Sequence, residues 1–233
     1  MKSKITIFLL FTCSLFAEAQ SPYRFYENGK VGYKNADGST LLPAQYESGS
    51  EFKDGFALVI IGNKRGFINT KGEITIPVIY DDASLFFNGM AAVSLKGKYG
   101  YINNTGTFVI APQYEMARDF SEGLALVKQE GLFGYIDLSG KTVIPFKYSN
   151  ANSFSEGYAA VRLGNKCGYI DPTGKVMINF SYDMVSSFTN NEALVMNGKE
   201  NIIINKKNKK VRRIENEEEE EQREQQKAKR KSK

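Results

Sequence analysis

The side chains able to do acid–base, nucleophilic or metal chemistry are few in this chain. Its 233 residues include no histidine. The usual base of a serine or cysteine triad and the commonest metal ligand are therefore absent. There are two cysteines, Cys13 and Cys167. Nothing beside Cys167 would lower its pKa, so it reads as a small residue on a strand. Asp81 and Asp82 form an adjacent carboxylate pair. Two carboxyls can cleave a glycosidic bond when a cleft holds them in different environments, which leaves a carboxylate-dependent polysaccharide-acting enzyme as an alternative. Against it, the slot of Asp81 recurs as Glu47, Glu115 and Asp183, each just after a tyrosine. A slot that repeats reads as a turn residue. No metal or cofactor motif is present.

The elements that would position these residues follow a period of 34. Gly32, Gly66, Gly100, Gly134 and Gly168 keep that step, as do Gly38, Gly72, Gly106, Gly140 and Gly174, with Asn208 next. The Tyr46, Phe52, Ala57 and Val59 slots return in the same register down to Tyr182, Phe188, Ala193 and Val195. A fixed period means one supersecondary unit copied and stacked.

Residues 57–80 show how one unit is built. Ala57–Ile61 is a short β-branched run, Gly62–Asn63 a hairpin signal, Arg65–Asn69 a second strand, and Ile74–Ile76 a third. The turn between the second and third strands opens on Asn or Asp (Asn35, Asn69, Asn103, Asp137, Asp171, Asn205) and closes on Gly or Asn208. That is a type I turn followed by a left-handed residue and a G1 bulge. It accounts for its glycines without a phosphate ligand, which would need a helix to follow. Ala57 and Val59 share a strand face in every full copy. The neighbouring position varies as Ile60, Ser94, Lys128, Arg162 and Met196. This pattern predicts one buried face and one free one. Ser94, Lys128, Arg162 and Met196 on the free face are the candidate recognition residues. The aromatic ladders, among them Tyr33, Phe67, Tyr101, Tyr135 and Tyr169, read as core.

Both end copies are worn. Tyr23 and Phe25 take the alanine and valine slots of the first. Ile202 replaces the glycine of the last, and Arg212 stands where Ile76, Ile110 and Ile144 lie. Such changes suit caps that face water.

The recurring string Gly-Tyr/Phe-Ile-Asn/Asp-x-x-Gly-x-x-x-Ile-Pro-x-x-Tyr-Asp/Glu, then Phe-x-x-Gly-x-Ala-x-Val, resembles the WG-repeat family of bacterial proteins. Lys98-Tyr99-Gly100-Tyr101-Ile102-Asn103 and Lys166-Cys167-Gly168-Tyr169-Ile170-Asp171 carry the pattern. The tryptophan usual in that family is replaced, by Tyr99 and Phe133 in two copies. The resemblance covers nearly all of the chain between its two ends and implies no shared activity.

The net charge of +5 resides in the end of the chain. Residues 22–205 hold 17 Lys/Arg against 18 Asp/Glu, whereas residues 206–233 hold 12 against 7. A nearly neutral body is not a nucleic-acid-binding surface. Lys2 and Lys4, the apolar run Ile5–Phe16 and Ala17-Glu18-Ala19 read as a signal peptide, residues 1–19. The apolar run is too short to span a bilayer, so no transmembrane segment remains after removal. Processing as a lipoprotein at Cys13 is the alternative. Residues 215–233, with the acidic run Glu217–Glu221 and a basic end, read as a solvated tail.

These observations predict an all-β tandem repeat over residues 20–214, with six three-stranded antiparallel units. A period of 34 is short for a propeller blade, which favours an open curved array over a closed β-propeller. The expected function is that of an exported, non-enzymatic binding or scaffold protein without a cofactor. Its expected location is the periplasm, the cell envelope or outside the cell. Its partner would be a protein or a cell-envelope glycan.

Overall fold

The computed structural model describes residues 21–214. The expected signal peptide, with Cys13, and the expected tail from residue 215 lie outside the described residues. Between them the chain forms six separate antiparallel sheets and no helix. The first sheet joins Tyr23–Glu27, Lys30–Lys34 and Thr40–Tyr46 in sequence order. The second joins Ser48–Gly49, Phe56–Ile61, Lys64–Asn69 and Ile74–Tyr80. The remaining four repeat that plan and end on Phe108–Tyr114, Thr142–Tyr148, Val176–Tyr182 and Lys210–Ile214. Each sheet after the first thus has four strands where the sequence predicts three. The extra strand is short, two residues in every copy except Met116–Ser121 in the fourth. Its brevity explains why no hydrophobic alternation announces it. Among the described residues no sheet closes on itself, and no strand pairing joins the first sheet to the last.

Turn chemistry sets the register. At the predicted type I turns, Gly72 N donates to Asn69 O at 2.9 Å, and the Asn69 side chain accepts from Lys71 N and Glu73 N. Asn103, Asp137, Asp171 and Asn205 repeat this arrangement. The closing residue takes positive φ, +82° at Gly72 and 56° at Asn208, where glycine and asparagine are tolerated best.

The repeat glycine of the second strand has a different cause. At Gly66 a Cβ would lie 2.7 Å from the backbone of Val78, and at Gly134 2.8 Å from Ile144 O. The third strand bulges there and presses on the glycine; the register slips between Phe133 and Tyr135. In the sixth sheet Ile202 occupies this slot, and Asn201, Ile202 and Ile203 pair regularly with Ile214, Arg213 and Arg212. Where the glycine is lost, that bulge is lost with it.

The expectation of one buried and one free face is corrected. Ala91, Ala92, Val93 and Ser94 are all buried, as are Leu124–Val127. A continuous buried run means that both faces are covered. Each sheet packs between its neighbours, so the variable side faces the next sheet rather than water. The alanine side faces the preceding unit: Ala91 shares a core cluster with Phe67, Ile76, Tyr80 and Phe86. The ladder aromatics are core, as predicted. Tyr101 meets Phe120, Tyr135 meets Phe154 and Tyr169 meets Phe188, all with ring centroids 4.8 Å apart. Such tilted pairs add to plain area burial.

Outer strands expose their free edge to solvent. Pro43, Pro77 and Pro145 sit on them, where a missing N–H blocks pairing with another chain. The last strand, Lys210–Ile214, is exposed along its whole length. Arg212 donates to Glu192 Oε2 at 2.7 Å. That places the charged substitution at a water-facing cap, as the sequence implies.

Candidate functional site

The repeated carboxylates have a local job. Glu47 Oε1 accepts from Gly62 N at 3.0 Å, Asp81 Oδ2 from Gly97 N at 3.2 Å, and Asp183 Oδ2 from Gly198 N at 2.7 Å. Glu115 does the same for Gly131 N at 3.2 Å. Each closes the first hairpin of the following unit. Backbone donors hold the Glu47 carboxyl below its ordinary range. The Lys64 ammonium, then the Gly97 N–H, does so for Asp81, and Lys166, then Gly198, for Asp183. A general acid needs the opposite shift. Asp82 pairs with Arg65 at 3.2 Å and accepts from the Tyr99 hydroxyl at 2.7 Å. Burial, and then this carboxylate, push the Tyr99 hydroxyl up to about 12. The Asp81–Asp82 pair is thus held by structural partners.

Cys167 is 5% exposed, and its thiol faces Asp183 O at 3.5 Å. Burial pushes the thiol pKa up, the direction of an inert cysteine.

The four variable residues lie on equivalent strands of the third to sixth sheets. Ser94 is 3% exposed. Lys128, Arg162 and Met196 are half-buried. The Lys128 ammonium rests over the Phe133 ring at 5.5 Å. Arg162 bridges to the next unit by donating to Asp183 O at 2.6 Å. These contacts tie a sheet to itself or to its successor.

A cleft that sequence reasoning missed forms where the inner segments of four units converge. Its volume is about 410 Å³, and Lys53, Phe87, Arg118, Asp119, Ser121 and Ser153 line it. The inner strand makes it. In the other units the slot of Arg118 holds Ser50, Ser84, Asn152 or Ser186. The serine Oγ accepts from Leu58 N, Ala92 N or Leu194 N at 2.9–3.0 Å and so closes the inner edge. The fourth unit replaces that closure with the longer strand Met116–Ser121, bulged between Ala117 and Phe120. A bulge re-aims side chains. Arg118 and Asp119 sit on it, and both are exposed. The strand is anchored behind them by the Tyr101 hydroxyl, which donates to Arg118 O at 2.7 Å. Tyr33, Tyr135 and Tyr169 make the same bond in their units. The cleft's other cation, Lys53, lies over the Phe87 ring at 4.6 Å. The signal for the site was the break in a serine and asparagine slot. It carries meaning only once that slot is known to close the inner edge.

Six stacked sheets built on a 34-residue unit define a tandem β-repeat protein. The model of the WG containing repeat matches residues 32–64, 66–99, 99–133, 133–167 and 168–210. The chain belongs to that family. No curated relative matches it by sequence. Among solved structures it is similar to a eukaryotic initiation factor, with TM-score 0.54, 11% identity, and coverage of 84% of this chain and 63% of that one. This chain therefore spans less than two thirds of that structure's length. It also resembles Hsv2p of Kluyveromyces lactis, with TM-score 0.48, 12% identity and coverage of 84% and 83%. Apo AztD from Citrobacter koseri gives TM-score 0.48, 12% identity and coverage of 84% and 71%. These structural neighbours are β-propeller-like, and identities this low speak to fold alone.

Proposed function

We propose that this protein is an exported, non-enzymatic binding module of the cell envelope, its partner a protein or a cell-envelope glycan. One observation carries the reading. The repeated carboxylates, the best candidates for catalysis in a chain without histidine, cap backbone turns, and those of Glu47, Asp81 and Asp183 are held ionised. The architecture supports it as well: the units stack a shared core and leave clefts at their inner edge, three of which meet at Arg118. The lysines, apolar run and Ala17–Ala19 site of residues 1–19 support export.

The test is capture from envelope fractions by the chain with and without residues 215–233. Retention of a defined protein or glycan by both forms is the expected result. Capture lost with the tail would move binding away from the repeats. New reducing ends released from an envelope polysaccharide would replace this reading with the enzymatic one.

A further inference from the structure

We infer that the cleft around Arg118 is the binding site, and that it takes the carboxylate of an acidic saccharide. The inference rests on the binding-module reading and gives it a place and a ligand class. Three observations carry it.

The first is the state of the arginine. Among the described residues, Arg24, Arg65, Arg162 and Arg212 each have a carboxylate or carbonyl partner, and Arg213 is also engaged. Among the described residues the Arg118 guanidinium makes no hydrogen bond or ion pair. It stands in an inner segment whose other copies hold small polar side chains. A guanidinium fork fits a carboxylate with two parallel N–H···O bonds.

The second is position. Arg118 lies where three clefts meet: the one of about 410 Å³, one of about 190 Å³ beside Asp82 and Tyr99, and one of about 220 Å³ beside Leu126 and Asn152. Together they offer an open, polar trough running across units, the shape that suits an extended chain better than a compact small molecule.

The third is the company. Phe87 is 39% exposed; the Lys53 ammonium covers one face of its ring, and the exposed remainder can meet the apolar face of a sugar. Asp119 and Ser153 add an acceptor and a hydroxyl for sugar hydroxyls. Lys53 gives the main cleft two cations against one carboxylate, which favours an anionic ligand at close range. A peptide would instead look for a free strand edge to pair with. The inner strand Met116–Ser121 pairs on one side only, so a peptide is the competing occupant, and a free-carboxylate peptide tests it directly.

Titration calorimetry on the full chain tests this with tetragalacturonate, its fully methyl-esterified form, and a short peptide with a free C-terminal carboxylate. The variant is Arg118→Ser, which restores the residue that the second, third and sixth units carry in this slot. The acid should bind, and the ester and the variant should each weaken binding about 10-fold or more, the scale of a lost charge-assisted pair. Arg118→Lys should recover only part, because an ammonium has no fork. Thermal melting of the variant should match the parent. Equal binding of acid and ester, unchanged binding by Arg118→Ser, tighter binding of the peptide, or no binding of tetragalacturonate at millimolar concentration would each overturn the assignment. If envelope material is still captured while these probes fail, the binding module stands and only its ligand class falls.

Discussion

The sixth sheet and the inner strand of the fourth unit depart from the same repeat in opposite ways. In the sixth, Ile202 takes the glycine slot, the third strand loses a bulge, and pairing across that slot becomes regular. In the fourth, Arg118 takes a serine slot, the inner strand gains a bulge, and pairing becomes irregular. The first change occurs at an end, where no further sheet must fit. The second occurs in the interior, between units that keep the common core. A repeat supplies its own controls: a departure that simplifies the sheet marks a cap, while one that lengthens a strand to present a charge marks a site.

What the units share should show the largest effects. The Tyr33, Tyr101, Tyr135 and Tyr169 hydroxyls are pushed above their free value of 10.0, chiefly by burial. A folded pKa above the unfolded one means stability that is complete below pH 10 and lost as pH rises beyond it. Tyrosinate absorbance should therefore appear together with loss of the β-sheet circular dichroism signal. Ionisation of these residues before unfolding would show that the core is looser than described.

Gly134→Val drives a side chain into the backbone of Ile144 and should cost about 3 kcal/mol. The reverse change, Ile202→Gly, meets no clash but removes a half-buried side chain from the sixth-sheet core and should cost about 2 kcal/mol. Urea unfolding measures both. A loss below about 1 kcal/mol for Gly134→Val would mean that the bulge does not depend on the glycine.

Arg162→Ala removes the tie to Asp183 O and should lower stability by about 1–2 kcal/mol. Lys128→Ala, which leaves only an ammonium–ring contact, should cost less than about 1 kcal/mol. Phe67→Tyr sharpens the comparison further. Phe67 is the one ladder residue without the hydroxyl that its four counterparts donate to an inner carbonyl. Restoring it should stabilise by about 1 kcal/mol, read as a higher melting temperature.

The period, the six units, the Asn/Asp-to-Gly turns and the aromatic core were legible because each is imposed by local sterics and repeated without slippage. Gly134 was legible as a repeat but not in its cause, since the strand that presses on it comes from another segment. The single free face was misread because Ser94 and Lys128 look like surface residues in one strand. Only the stacking of whole sheets shows that both faces are covered. Arg118 stayed hidden for a related reason. Its slot is defined by a bond from a serine side chain to a backbone N–H eight residues later, and that bond exists only in the folded unit.

The smallest effect on stability falls on the most consequential residue. Arg118→Ser should leave unfolding within about 0.5 kcal/mol of the parent, since the guanidinium holds no other group among the described residues. Capture from envelope fractions by the parent chain and by Arg118→Ser, run side by side with their melting curves, decides whether this guanidinium holds the partner. The variant should melt with the parent and lose the captured material. Capture undiminished in the variant would contradict that role and place binding elsewhere on the repeats.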